Sequence, residues 1–345
     1  MIKYLETIDD EQQLEEILSR PSPEVVELFK TLEGDIIFLG IAGKIGPSIA
    51  RMAKRACAEA GVSKRIVGVS RFSNEQEQKH IESFGIETIR GDLLEPDFIK
   101  SLPKVKNVIF LAGMKFGSEG NLSLTWAMNT YMPAQVAGHF KESRIVVFST
   151  GCVYPLVNKK SGGSLESDTP VAIGEYSQSC LGRERMFEYG SLKYGTPVSL
   201  IRLNYSVEMR YGVLVDIASK VRNEEPVNLS MGFFNIIWQG DMNVMVLRSL
   251  SHCSTPAKII NITGTKILSV RQVALEFGKI FGKTPNFLGK EAPTALLSNA
   301  EFSYGLFGRP KITTRQMIKW IANWINHENR LLNKQTHFEV RDGKY

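Results

Sequence analysis

The segment Ile36-Ile37-Phe38-Leu39-Gly40-Ile41-Ala42-Gly43-Lys44-Ile45-Gly46 constrains the fold more than any other stretch of the 345-residue chain. A continuous apolar run ends in three glycines spaced G-x-x-G-x-x-G, and a segment with helical periodicity, Pro47–Ala60, comes immediately after. The first glycine permits a tight turn, the second lets backbone approach a ligand, and the third lets helix and strand pack closely. Amide groups and the helix dipole at such a turn favour phosphate. A plain flexible turn also uses glycine, so the motif gains meaning only from the pattern of the neighbouring chain.

That pattern is an alternation. Short apolar strands are predicted at Ile36–Leu39, Arg65–Val69, Glu87–Ile89, Val108–Leu111, Ile145–Phe148 and Val198–Arg202, each succeeded by a helical segment such as Tyr131–Lys141. Continuous apolar strands separated by helices indicate a parallel sheet covered on both faces. Right-handed crossovers then leave an α/β, Rossmann-type doubly wound parallel sheet as the expected fold. On the first strand of such a series the glycine-rich turn reads as a dinucleotide site, with Gly40, Gly43, Lys44, Ile45 and Gly46 as candidate cofactor contacts.

Beyond residue 204 the alternation becomes irregular. Short strands near Val227–Leu229 and Asn235–Trp238 mix with helices at Val270–Phe281 and Thr313–Ile325. The expected division is a helical extension over 1–33, with helices at Glu11–Ser19 and Pro23–Leu32, and a cofactor domain over 34–204. A smaller C-terminal α/β substrate lobe over 205–328, interleaved with the sheet, and a polar tail over 329–345 of uncertain order complete it. Ser22 and Pro23 are the expected cap and first residue of the second helix.

Composition excludes several classes. No apolar run approaches the ~20 residues of a membrane span. The start, MIKYLETIDDEQQLEEIL, is acidic where a signal peptide is basic and then apolar, so a cytoplasmic protein is expected. The four cysteines are scattered without a C-x-x-C pair and read as free thiols, and the five histidines lack metal-ligand spacing. No metal is expected. A net charge of +6, spread along the chain, is too weak an excess to indicate nucleic acid.

The second strand runs into Ser70-Arg71. An acid there would hold a ribose 2′-hydroxyl and repel a 2′-phosphate, whereas arginine pairs with the phosphate. NADP is therefore favoured over NAD, with a solvated Arg71 as the plainer alternative.

Several further motifs occur in a fixed order: Gly91-Asp92-Leu93-Leu94, Val108 to Gly113, Met128-Asn129-Thr130, Phe148-Ser149-Thr150-Gly151-Cys152-Val153-Tyr154-Pro155, Gly174-Glu175-Tyr176 to Glu184, and Ile201-Arg202-Leu203-Asn204. Phe234 to Asp241 and Leu306-Phe307-Gly308-Arg309-Pro310-Lys311 continue the series. From about residue 35 to 326 the chain resembles the extended short-chain dehydrogenase/reductase family, the NAD(P)-dependent epimerases, dehydratases and reductases of nucleotide sugars. The resemblance implies that Asp92 and Leu93 approach the adenine and that Leu111, Ala112 and Gly113 line the cofactor. It also implies that Asn129 steadies the backbone at the cofactor site, that Thr150 bonds the substrate oxygen and that Asn204 touches substrate. Tyr176 becomes the acid/base, contacting both cofactor and substrate. A sugar-like substrate and a homodimer, built through the tyrosine helix, are implied as well.

One departure stands at the centre. The family's Y-x-x-x-K lysine is Cys180. A free tyrosine has a pKa near ~10, so a neighbouring cation is needed to make phenolate accessible. Residues i and i+4 share a helix face, and a neutral thiol there supplies no charge. The substitution is compatible with three readings. The chain is a working oxidoreductase, epimerase or dehydratase with altered electrostatics; or a catalytically silent NADP(H)-binding regulator; or Cys180 is itself reactive, against which stand its mid-helix place and the lack of a histidine base. Arg183, at i+7 from Tyr176, is expected in a solvent-facing salt bridge, with reach toward the site as the alternative. Tyr154, Phe233, Phe234 and Trp238 could wall the site, though core packing accounts for each.

Overall fold

The continuous apolar strands bury side chains on two packed faces in the computed structural model of the chain, which describes residues 6–115 and 120–344. Residues 1–5 of the expected extension and residue 345 of the tail lie outside the described residues. The seven strands of the main sheet are β1 (Ile36–Leu39), β2 (Ile66–Ser70), β3 (Glu87–Arg90), β4 (Asn107–Phe110), β5 (Arg144–Thr150), β6 (Val198–Leu203) and β7 (Lys258–Ile262). Their order is β7-β6-β5-β4-β1-β2-β3 and every neighbouring pair is parallel. The order reverses between β1 and β4, the crevice in which doubly wound sheets hold ligands.

Successive side chains point to opposite faces. Phe38, Ile109, Val146, Ile201 and Ile260 form one buried face together with Val25, Phe29, Ile49, Met52 and Met242. Ile37, Leu39, Val67, Val108, Phe110, Val147 and Leu200 form the other, against Met132, Val136, Phe140 and Phe187.

The helices α1 (Glu11–Leu18), α2 (Pro23–Thr31) and α3 (Gly46–Ala60) come first. The Asp10 carboxylate caps α1, accepting from the Gln13 amide at 2.8 Å, and Ser22 accepts from Val25 with Pro23 opening α2. Helix α4 (Gly174–Tyr194) lies against the second face, α5 (Val213–Arg222) comes after β6, and α6 (Gln239–Arg248) joins α2 and α3 on the first face. A separate core forms around α5, α7 (Val270–Phe281) and α8 (Thr314–Asn326), with Ile217, Phe277, Trp238, Trp320 and Trp324 fully buried. Leu14 and Leu18 of α1 belong to that core, while α2 belongs to the sheet core, so the N-terminal helices bridge the two.

Three sequence expectations are corrected. The sequence predicts six strands for the sheet, and the structure adds a seventh, β7, which arises beyond residue 204 and pairs with β6. Of the strand expected over Asn235–Trp238 only Ile237–Trp238 is extended and a separate strand lies at Phe233–Phe234, because Asn235 turns inward to bond the Ser298 carbonyl at 2.7 Å and the Asn204 amide. The tail is not of uncertain order: Thr336 donates to Asp216, Phe338 is buried beside Phe234, and Arg341 donates to both oxygens of Thr294 at 2.7 Å. It ends with Gly343 packed so closely on Gly174 that a Cβ on Gly174 would fall 2.3 Å from the Gly343 carbonyl. A polar composition concealed this, since the anchors are one aromatic ring and specific hydrogen bonds. No helix among the described residues is long and apolar enough to cross a membrane.

Candidate functional site

A cavity of about 260 Å³ opens at the carboxyl ends of β1, β4 and β5. Gly40 leaves β1 at φ +90°, and a Cβ there would lie 2.7 Å from the Ala112 backbone, so only glycine makes this turn against β4. A Cβ on Gly46 would strike the Ile41 carbonyl at 2.0 Å, which is why the start of α3 can sit over the turn. Of the residues singled out in the sequence, Gly40, Gly43, Lys44, Ile45, Gly46, Leu111, Gly113, Thr150, Tyr176 and Asn204 line the cavity together.

Others do not line it. Ser70 and Arg71 stand at the end of β2, where Arg90 donates to the Arg71 carbonyl at 3.2 Å, and the Asp92 carboxylate accepts from the Leu94 amide at 2.9 Å. Leu93 and Ala112 are buried in the second-face core. Asn129 is fully buried in a π-helical turn over Ala127–Tyr131; it accepts from the Met114 amide at 2.9 Å and donates to the Met114 carbonyl at 2.8 Å, which fixes the loop after β4. Cys180 sits behind the wall with zero exposure. The Thr150 hydroxyl accepts from the Cys152 amide at 3.1 Å, and the Asn204 amide donates to Asn235 at 2.7 Å.

Helix α4 is pinned from below. Arg202 on β6 pairs with Glu184 at 2.7 Å, Ser149 donates to the same carboxylate at 2.5 Å, and Arg202 also donates to the Tyr154 hydroxyl at 2.8 Å. Tyr154 is thus a packing and bonding residue, and Trp238 and Phe234 are core residues.

Arg183 corrects the expectation of a solvent-facing salt bridge. It is 6% exposed, donates from Nη1 to the Phe148 carbonyl at 2.9 Å and from Nη2 to Asn129 Oδ1 at 2.5 Å, and lines the cavity. It turns inward because Gly113 leaves room: a Cβ there would fall 2.2 Å from Nη2.

Burial, reinforced by Cys180 and Cys152, pushes the Tyr176 phenol well above its usual range, and Arg183 opposes this. Burial also raises the Cys180 thiol, which shares a hydrogen bond with Tyr176. Lys44 lies with Nζ 2.8 Å from the centre of the Tyr211 ring; burial, and then Lys115, pull its ammonium well below the ordinary value. Lys115 donates to the Thr336 carbonyl at 3.0 Å and is lowered by burial as well. Lys115, Tyr211 and Thr336 were missed in the sequence. Lys115 had a signal, standing two residues after Gly113; Thr336 had none.

Two half-buried lysines and a guanidinium thus meet a glycine turn and a helix N-terminus, a donor set that suits a diphosphate. Among the described residues no cluster of His, Cys, Asp or Glu is placed to hold a metal ion, and the four cysteines are unpaired.

Residues 36–207 match the family described as NAD dependent epimerase/dehydratase. No curated protein matches the chain in sequence. Among solved structures, the chain is similar to UDP-glucuronic acid 4-epimerase from Bacillus cereus in complex with UDP-glucuronic acid and NAD. That match has 19% identity and a TM-score of 0.71, covering 85% of this chain and 99% of that one. UDP-glucose 4-epimerase from Thermotoga maritima with UDP-glucose matches at 15% identity and TM-score 0.71 over 85% and 99% of the two chains. An epimerase from Methanothermobacter thermautotrophicus matches at 16% identity and TM-score 0.71 over 90% and 97%. At these identities the likeness is one of fold.

Proposed function

For a chain that belongs to the NAD dependent epimerase/dehydratase family, we propose an enzyme that acts on a hydroxyl or carbonyl of a sugar or sugar nucleotide, with Tyr176 as its acid/base. The observation that carries this is the convergence of Tyr176, Thr150 and the glycine turn on one cavity. The nicotinamide, when bound, supplies reversible two-electron acceptance. This chain's residues do the rest. Lys44 and Lys115 balance the diphosphate, with the amides of the Gly43–Gly46 turn. Thr150 orients the substrate oxygen, and Tyr176 moves a proton to or from it. Asn129 acts indirectly, by holding the Met114 backbone. Asn204 shapes the wall, its amide being spent on Asn235.

Residues 34–204 carry the cofactor in this reading, and residues 205–328 carry most of the substrate contacts. A homodimer through α4 agrees with the exposed Tyr189 and Leu192 on that helix. Unpaired cysteines agree with a cytoplasmic protein. The names of the solved relatives carry NAD, and the expected preference for NADP finds no support in them. The acid-free end of β2, with Arg90 beside Arg71, is the observation that favours NADP, and the ratio of NADPH to NADH affinities decides it.

A silent, cofactor-binding regulator is the second reading, favoured by the buried phenol and the thiol at position 180. The test is turnover of UDP-sugars in the presence of NAD or NADP by wild type and Tyr176→Phe. Turnover lost in the variant with cofactor still bound supports the enzyme; cofactor binding without turnover in wild type supports the regulator.

A further inference from the structure

We propose that Arg183 replaces the missing lysine as the cation that sets the ionisation of Tyr176, acting as a positioning residue through the phenol. This rests on the reading of Tyr176 as acid/base.

The geometry narrows the field. Position 180, one turn after Tyr176, holds a thiol, and the next turn of the same helix places a guanidinium inside the cavity wall. Burying a guanidinium is costly unless it is paired and fully bonded. Arg183 has no carboxylate within salt-bridge distance among the described residues, because the adjacent Glu184 is committed to Arg202. Two of its nitrogens donate to Phe148 and Asn129, and its Nε is buried without a hydrogen-bond partner. The fold thus retains a positive charge without a carboxylate partner in the wall of the cavity that Tyr176 also lines, and a buried N–H without an acceptor. A purely structural clamp needs neither.

Among the described residues, Cys180, Cys152, Arg183 and Lys115 face Tyr176. The thiols disfavour phenolate. Lys115 is a second cation in this wall, with its Nζ 6.0 Å from the ring centre, and it also donates to the Thr336 carbonyl. The proton leaves the phenol for substrate or solvent and never resides on Arg183, since a guanidinium does not deprotonate in proteins. The cation is therefore present at every working pH.

The test uses protein grown with difluorotyrosine, whose more acidic phenol brings the titration within reach. The Tyr176 fluorine resonance is assigned by its loss in Tyr176→Phe. Removing an opposite charge at this range is expected to lower the Tyr176 ionisation constant by about tenfold or more in Arg183→Met, while Arg183→Lys stays within about threefold of wild type. A folded Arg183→Met with an unchanged constant overturns the proposal. Should that variant fail to fold, Arg183→Lys decides: near-wild-type ionisation supports the proposal and a tenfold fall overturns it. The titration needs no turnover. If Tyr176→Phe keeps its activity while Arg183→Met shifts the titration, the acid/base reading has failed and the electrostatic pairing stands. The opposite pattern removes the pairing alone.

Discussion

Glu184 of α4 and Arg202 of β6 form an ion pair at 2.7 Å in which neither side chain is more than 1% exposed. The pair ties the helix that carries Tyr176 to the carboxyl end of the sheet, where Thr150 stands, with Ser149 bonded to the same carboxylate. Replacing such a pair by apolar residues is often harmless, but removing one partner strands the other charge. Glu184→Ala should cost about 3–5 kcal/mol of stability, read as a lower urea midpoint with unchanged slope. A loss below ~1 kcal/mol would mean that Arg202 finds water or another acceptor.

Lys44, within the glycine turn, and Lys115, in the loop after β4, both line the cavity. Charged hydrogen bonds contribute about 1.5–3 kcal/mol each, so Lys44→Gln and Lys115→Gln should each weaken NADH binding by about tenfold or more. Fluorescence titration at two salt concentrations checks both size and origin. Each variant should show a shallower salt dependence than wild type. Equal affinity in both would place the diphosphate elsewhere.

Phe338 anchors the tail in the core of the C-terminal lobe at 2% exposure. Phe338→Ala should remove about 3–5 kcal/mol of local packing. The tail then opens independently of the sheet, because local segments unfold at their own free energy. Trypsin should cleave at Lys334 or Arg341 much faster than in wild type, before any other site is cut. Unchanged cleavage would show that the Asp216 and Thr294 bonds suffice without the ring.

Asp241 at the start of α6 is raised to about 6, first by burial, with the Ile312 amide and Lys311 opposing. An acid whose folded pKa exceeds its unfolded value adds stability at low pH, and that stability is lost as pH rises through the folded value. The window runs from about 4 to 6, and at ~1.4 kcal/mol per pKa unit the effect has a ceiling of about 3 kcal/mol. Asp241→Asn should flatten the stability curve across that window while leaving the Ile312 amide an acceptor. A curve as steep as that of wild type would assign the pH dependence to other groups.

The sheet was legible because its signal is local. Apolar runs ending in glycine at 40 or in Ser70-Arg71 state both the strand and its end. The edge strand β7 escaped because Lys258 and Asn261 break its apolar run, and it is far from its partner β6 in sequence. The cavity lining was largely legible through motifs, Lys44, Thr150 and Tyr176 among them. What stayed hidden depends on three-dimensional room. Arg183 turns inward only because Gly113 lacks a side chain, and Thr336 reaches the cavity only because Asp216 accepts two of its donors. Neither relation leaves a trace in spacing.

In most domains the last residues are the place where truncation and fusion are tolerated. Here Thr336 is part of the cavity wall, and Gly343 rests on the first residue of the helix that carries Tyr176. An affinity tag joined at this end would therefore act as a mutation of the site. Shortening the chain by a dozen residues would unmake one of its walls while sparing every motif by which the fold is known.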